Sequence, residues 1–340
     1  MQKQKFEGIY LFLISILPLS IIVGPSISLL NTLLIVILFL ITFNSYKIKI
    51  EKIFLLYLLI ILYVYLIFNS FISIDYKEGI YRNLGFLRFV ILFIAINLFF
   101  KISSSQFQFL NFWSLIVLIV VFDSFIEFSF GKNLLGYGDD LYVDRIVSFF
   151  RDEPIVGAYL LGFNFIIVGY FFEKFYKQNL KLKLALFLIL FILVGCILVT
   201  GERSNGIKAI IGLMIFLFLN NKISLKIKIS IFLFGLVFTG LIISNSNYLK
   251  VRYGQQLFSQ LFDSNQRDQF IENNLYLKLY KSGLAVFKDN PIFGVGNKNY
   301  RVITTKNIET KINEDYILNT HPHQIYIELL SEHGLVGTII

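Results

Sequence analysis

Charge is what this chain has least of: 16% of its 340 residues are Asp, Glu, Lys or Arg, where a soluble domain carries about 25%. Together with 56% hydrophobic residues and a mean hydropathy of +0.71, this excludes a soluble enzyme, because one water-facing interior cannot hide that much apolar surface, and it equally excludes a disordered chain. Cysteine is nearly absent. The lone Cys196 rules out an intrachain disulfide, a secreted disulfide scaffold and a thiolate zinc cluster. Missing too are a GxxxxGK[ST] phosphate loop, a GxSxG elbow and a DxD-like acidic metal motif. Those absences disfavour nucleotide hydrolysis and serine hydrolase chemistry.

What is present is a succession of apolar blocks, roughly 8–23, 27–43, 53–71, 84–100, 108–128, 155–172, 184–200, 205–219 and 229–245, with a tenth following His323. Blocks of that length separated by short polar punctuation predict an all-α, polytopic transmembrane helix bundle of about ten segments. The tenth runs only 16 residues before Ile340, short of the roughly 20 a crossing needs, so a continuation is expected. The first block lacks a small-residue cleavage site and Pro25 leads straight into the second, which reads as an uncleaved helix. Residues 1–340 therefore form one membrane-embedded unit.

The net charge of +9 is distributed as a topology signal and not as a nucleic-acid surface. The N-terminus and the loops near 44–52, 101, 173–183 and 220–228 carry 13 Lys/Arg against 3 Asp/Glu, while the alternate loops nearly balance in sign. By the positive-inside rule the first set is cytoplasmic, and the stretch after the ninth segment is outside.

That outer stretch, 246–324, is the longest polar connection, too long to be a mere linker. Within it Leu277, Tyr280, Leu284 and Phe287 recur at helical spacing between Lys278, Lys281 and Lys288. They predict an amphipathic helix, either on the membrane surface or packed on its own loop. "NPIFGVGNKNYR" follows, its Pro291, Gly294 and Gly296 marking a tight backbone path; Asn299 in place of a third glycine excludes a dinucleotide fingerprint.

Candidate chemistry gathers at the outer ends of three segments. His321 and His323 flank Pro322 just before the tenth segment, with no cysteine or close carboxylate to complete a metal set. In "TGERSNG", Gly201 breaks the seventh helix and Ser204 or Asn205 is expected to cap the eighth. Its free N–H groups, with Arg203 at the terminus and Lys208 a turn deeper, suit an anion such as phosphate. "FFRDEP" supplies Arg151, with Asp152 expected as N-cap and Pro154 in the first turn of the sixth. Asp123 and Glu127, four apart near the outer end of the fifth, line a vestibule, pair with a basic residue, or sit at the interface. Arginines, helix N-termini and a titratable histidine on one rim fit group transfer on a membrane-held, phosphate-bearing substrate.

Residues 148–340 resemble the bacterial O-antigen ligase and O-antigen polymerase superfamily of polytopic glycosyltransferases. The likeness rests on His323, Gln324, a nine-residue spacer, Gly334, two residues and Gly337, supported by "TGERSNG", "NPIFGVGNKNYR" and the placement of the large loop after the ninth segment. The resemblance implies a multi-pass inner-membrane protein working at the periplasmic face, without metal, nucleotide or other cofactor. It would move a glycan from undecaprenyl diphosphate to lipid A-core oligosaccharide, or to another lipid-linked repeat in a polymerase. In that scheme His323 is base or orienter for the acceptor hydroxyl, Arg203 and Lys208 hold the diphosphate, and Arg301 is a second candidate for diphosphate or sugar. Where the family often carries a loop arginine some fifteen residues before the Asn-Pro, this chain has Tyr276, with Lys278 and Lys281 nearby.

Overall fold

The computed structural model describes residues 2–43, 54–102, 107–138, 145–151, 153–176, 180–255 and 274–340. Among the described residues the regular elements are helical. In chain order they are α1 (Gln2–Ser15), α2 (Leu17–Val23), α3 (Pro25–Phe43), α4 (Phe54–Ile72), α5 (Tyr76–Gly85), α6 (Leu87–Ile102), α7 (Gln108–Phe130), α8 (Val156–Phe175), α9 (Leu180–Val199), α10 (Arg203–Leu219), α11 (Leu225–Asn245), α12 (Leu275–Asp289), α13 (Tyr300–Thr310) and α14 (Ile325–Ile339).

Among the described residues, seven helical stretches are long and apolar enough to cross a membrane, or eight when α1 and α2 count as one bent span. Pro18 explains the 46° bend, since a proline ring near a helix start cannot continue the hydrogen-bond ladder of the turn before it. The described residues do not confirm the expected ten. At 17 residues α10 extends only about 26 Å, against a hydrocarbon core of roughly 30 Å. Outward faces are apolar as lipid requires: Phe71, Phe218 and Val237 stand exposed on α4, α10 and α11.

The chain gathers into two compact units. One comprises Met1–Asn31 with Ser104–Arg267, the other Thr32–Ser103 with Asp268–Ile340. In the first, α7 to α10 pack around Val117, Leu160, Ile197 and Ala209, all fully buried. Trp113 ties α1 to α7 by donating its indole N–H to the Ile14 carbonyl at 2.8 Å.

In the second unit α12 packs on α14 and buries Leu279, Ser282, Gly283, Ala285 and Val286, the last two in a cluster with Val295, Tyr300, Ile303 and Tyr316. Of the two placements expected for this helix, packing on its own loop is what buries it. The buried face is not the Leu277, Tyr280, Leu284 and Phe287 stripe, of which Leu284 stays exposed. Small residues allow the close approach: a side chain on Gly283 would overlap Pro322 and Ile327.

The glycine-rich loop between α12 and α13 is held from two sides. On one, Val295 and Gly296 donate N–H groups to the Ser331 and Glu332 carbonyls at 3.0 and 2.9 Å. On the other, buried Asn69 of α4 donates to the Phe293 carbonyl at 3.0 Å and accepts the Asn297 N–H at 2.9 Å, while Asn83 of α5 accepts from the Asn297 amide. Asn299 reaches the Asp75 backbone in both directions, at 2.7 and 3.0 Å. Each buried amide is thereby satisfied, and the cost of burying it is offset.

Candidate functional site

Chemistry-bearing side chains collect in two places, one in each unit. In the second unit the segment before α14 ends in a left-handed residue: His323 has φ +57, which turns the chain sharply into the helix. Gln324, and not the histidine, caps α14, its side-chain oxygen accepting the Ile327 N–H at 2.7 Å. His323 is exposed and its ring nitrogens have no hydrogen-bond partner among the described residues. Its imidazole is fixed instead by rings: His321 at 4.1 Å between centroids and Tyr276 edge-on at 5.6 Å.

His321 Nδ1 lies 2.9 Å from the Thr320 hydroxyl. Burial, then the neighbouring His323, Lys298 and Arg301, hold the His321 imidazole below its ordinary pKa, with Glu328 opposing. Lys298 is engaged in a 2.9 Å ion pair with Glu328 of α14. Arg301, in the first turn of α13, borders an open cavity of about 760 Å³, and its Nε is buried without a partner. Lys278 and Lys281 are exposed on α12 with no side-chain partner among the described residues.

In the first unit, Gly201 (φ +71) ends α9 and α10 begins two residues later. The expected capping by Ser204 or Asn205 is not what forms. Glu202 is the N-cap residue, yet its side chain caps nothing in its own helix. It turns to α8, accepting the Gly157 N–H at 2.6 Å, and takes a hydrogen bond from the Asn205 amide. Burial raises the Glu202 carboxyl above the usual range; those hydrogen bonds, the Ala158 N–H and Arg145 pull the other way. The first-turn N–H groups of α10 are consequently left without a side-chain cap.

Arg203 at this terminus has two cationic neighbours that sequence spacing did not reveal. Its guanidinium is disfavoured in its charged form by burial first, then by Arg252 and Arg145. Arg252 is carried on a helical turn, Lys250–Gln255, that packs against the α9–α10 corner. Its Nη2 donates to the Gly201 carbonyl at 3.2 Å, its plane lies 5.9 Å from the Tyr248 ring, and its Nε is buried without a partner. Tyr253 of the same turn donates to the Leu198 carbonyl at 3.3 Å.

Arg145 comes from a loop fastened to α7. Glu127 accepts the N–H groups of Val147 and Ser148 at 2.9 and 2.6 Å, and Asp123 accepts the Leu134 N–H and the Ser148 hydroxyl at 2.9 and 2.5 Å. Both carboxylates are buried. They act as the clamp of this loop, a role outside the three expected, and Glu127 also lines a cavity of about 310 Å³ with Arg145, Ser246 and Tyr248. None of Arg145, Arg203 and Arg252 makes an ion pair among the described residues.

Lys208 is exposed, five residues and so about 140° around α10 from Arg203. Arg151 is exposed too, in a turn with φ +59, and no interaction joins it to Arg203. Helix α8 begins at Val156 with Ile155 as N-cap, so Pro154 precedes the first turn instead of standing in it. Asp152, expected as that cap, lies outside the described residues.

Three like charges at a helix start, none of them in an ion pair among the described residues, suit an anion of high charge density. Residues 186–340, from within α9 to the end of α14, match the family model described as O-antigen ligase. The match supports membership of the O-antigen ligase and polymerase superfamily, carried by this part of the chain. The match starts later than residue 148, where the resemblance in the sequence begins, but takes in α10, the large loop and the His323 signature. No curated protein and no solved structure matched the chain. The match and the run of apolar helices support a multi-pass membrane protein of ligase or polymerase type, working on lipid-linked glycans.

Proposed function

We propose that the protein is an inner-membrane glycosyltransferase that moves a glycan from undecaprenyl diphosphate to a lipid A-core acceptor at the periplasmic face, without metal, nucleotide or other cofactor. Two observations, one in each unit, support this reading: a ring-braced imidazole at His323 with no hydrogen-bond partner among the described residues, and an arginine group at the start of α10 that makes no ion pair among them. One suits a proton acceptor and the other a diphosphate.

In the reaction the acceptor hydroxyl oxygen attacks the anomeric carbon of the donor. Its proton passes to His323, and the bond from that carbon to the diphosphate oxygen breaks. The leaving diphosphate stays on its lipid and takes the electron pair, and Arg203 with the α10 N–H groups offsets the charge that develops. The donor already holds its activation in the glycosyl-diphosphate bond, so no further energy source enters. Lys208, Arg151, Lys278 and Lys281 contribute at most to attracting the head group.

An O-antigen polymerase shares every step and differs in accepting a lipid-linked repeat. Purified protein supplied with undecaprenyl-diphosphate glycan, and with each acceptor in turn, separates the two. A transporter of lipid-linked sugars would instead move the donor and join nothing. Absence of any joined product from an intact protein with both acceptors present contradicts the transferase reading, and loss of product on adding a chelator contradicts the metal-free scheme.

A further inference from the structure

We propose that the 760 Å³ cavity of the second unit seats the non-reducing end of the acceptor glycan. This rests on the transferase reading above. The cavity is bordered by Glu78 of α5, by Arg301, Lys306 and Glu309 of α13, and by Asn319 and Thr320 of the segment leading to His323. Its volume falls in the roughly 300–1,000 Å³ range of small-molecule sites.

Its chemistry differs from that of the arginine group. Two cations, Arg301 and Lys306, face two anions, Glu78 and Glu309, so the walls carry no net charge. None of the four makes an ion pair or side-chain hydrogen bond among the described residues. Donors and acceptors thus line one space without satisfying each other, and the buried Nε of Arg301 lacks a partner altogether. An anion would find its attraction cancelled here, and a lipid tail would have to lie against four charged side chains beside Val302 and Leu318. A sugar fits, because every hydroxyl both donates and accepts, and planar guanidinium, carboxylate and amide groups can each span a pair of neighbouring hydroxyls.

The position ties the cavity to the acceptor's half of the reaction. Thr320 borders it and stands 2.9 Å from His321 Nδ1, and the His321 ring lies 4.1 Å from that of His323. A base acts on the hydroxyl of the acceptor, so the space reached through Thr320 and His321 belongs to the substrate that brings that hydroxyl. Lipid A-core oligosaccharide and a lipid-linked repeat both present such an end.

The test uses the full chain in lipid nanodiscs, with undecaprenyl-diphosphate glycan as donor and the two acceptors in separate arms. Thr305→Trp places an indole at a position lining the cavity, and Lys306→Gln with Glu309→Gln removes charge while sparing the fold. Each change is expected to raise acceptor KM about tenfold, the worth of one or two hydrogen bonds, and to leave donor KM within about twofold. The arm that shows the shift identifies the acceptor. A shift in donor KM, or no shift in either, overturns the assignment. If wild-type protein joins no glycan, it is the transferase reading that fails. Saturation-transfer NMR with the delipidated core and repeat oligosaccharides then still decides the cavity: signal lost in Thr305→Trp supports it, and signal absent from wild type or retained in the variant refutes it.

Discussion

Gly334 rests directly on the backbone of Ile292, with φ +63 and no room for a Cβ. The residues after it use this closeness: Leu335 donates its N–H to the Pro291 carbonyl at 2.8 Å and Val336 to that of Ile292 at 3.1 Å. Two motifs far apart in sequence, the glycine-rich loop and the His-to-Gly signature, are therefore halves of one joint. Gly334 kinks α14 with non-helical backbone angles, the loop fills that kink, and α14 presents His323 at its start. Gly337 completes the fit, since a side chain there would overlap the Tyr65 ring.

Gly334→Ala is expected to cost roughly 2–4 kcal/mol, from a positive φ combined with a backbone overlap that cannot relax. Gly162 in α8, where a Cβ would meet no atom within 4 Å, is the control, and Gly162→Ala should be neutral or stabilising by up to about 1 kcal/mol. Thermal unfolding of both variants in detergent checks the contrast.

Arg145→Ala and Arg252→Ala should each weaken binding of an undecaprenyl-diphosphate glycan about tenfold, or about 1.4 kcal/mol. Arg252→Lys should restore little, because an ammonium cannot bond the Gly201 carbonyl, stack on Tyr248 and engage a phosphate with one planar group. Affinities measured by fluorescence with labelled donor decide this, and unchanged values would remove both residues from the diphosphate site.

How much of this was legible in the sequence depends on the kind of signal. Apolar blocks gave the membrane bundle, because a crossing helix writes itself as a run of fixed length. Gly201, Arg203 and His323 stood out because each sits beside a helix end. Arg145 and Arg252 did not, being brought to Arg203 by a carboxylate clamp on α7 and a helical turn after α11, contacts with no periodicity. Asn69 and Asn83 were invisible for the same reason: a polar residue in an apolar run declares burial but not its partner. The α12 stripe misled because Ser282, Gly283 and Ala285 pack better than Leu284 against a close neighbour. The caps of α8 and α10 were misplaced because Glu202 serves a helix other than its own.

Glu202 gives a test by pH. Burial raises its carboxyl above the ordinary value, so on lowering the pH it sheds its negative charge earlier than an exposed glutamate would. Glu202→Gln keeps an acceptor for the Gly157 N–H and removes a charge that opposes a phosphate. The variant should bind donor more tightly than wild type near pH 8, and the advantage should shrink as the pH falls toward about 5. An advantage that grows on acidification has the wrong sign.

His321 offers a second. Its imidazole is held below the ordinary 6.5 or so by burial and by His323. A base whose pKa is depressed in the fold stabilises the structure above its unfolded value, and that contribution is lost as the pH falls through the folded one. The second unit should thus lose stability below about pH 6.5, and His321→Asn should flatten that limb. Histidine NMR titration of the protein in detergent should place His321 below 6.5.

The most direct test of the whole account is glycan joining by His323→Ala, with donor binding measured on the same preparation. Wild type should form product from undecaprenyl-diphosphate glycan and acceptor, and the variant should lose at least about a hundredfold in rate while binding donor with wild-type affinity. Full joining activity in the variant, with the protein folded and in the membrane, would contradict the account.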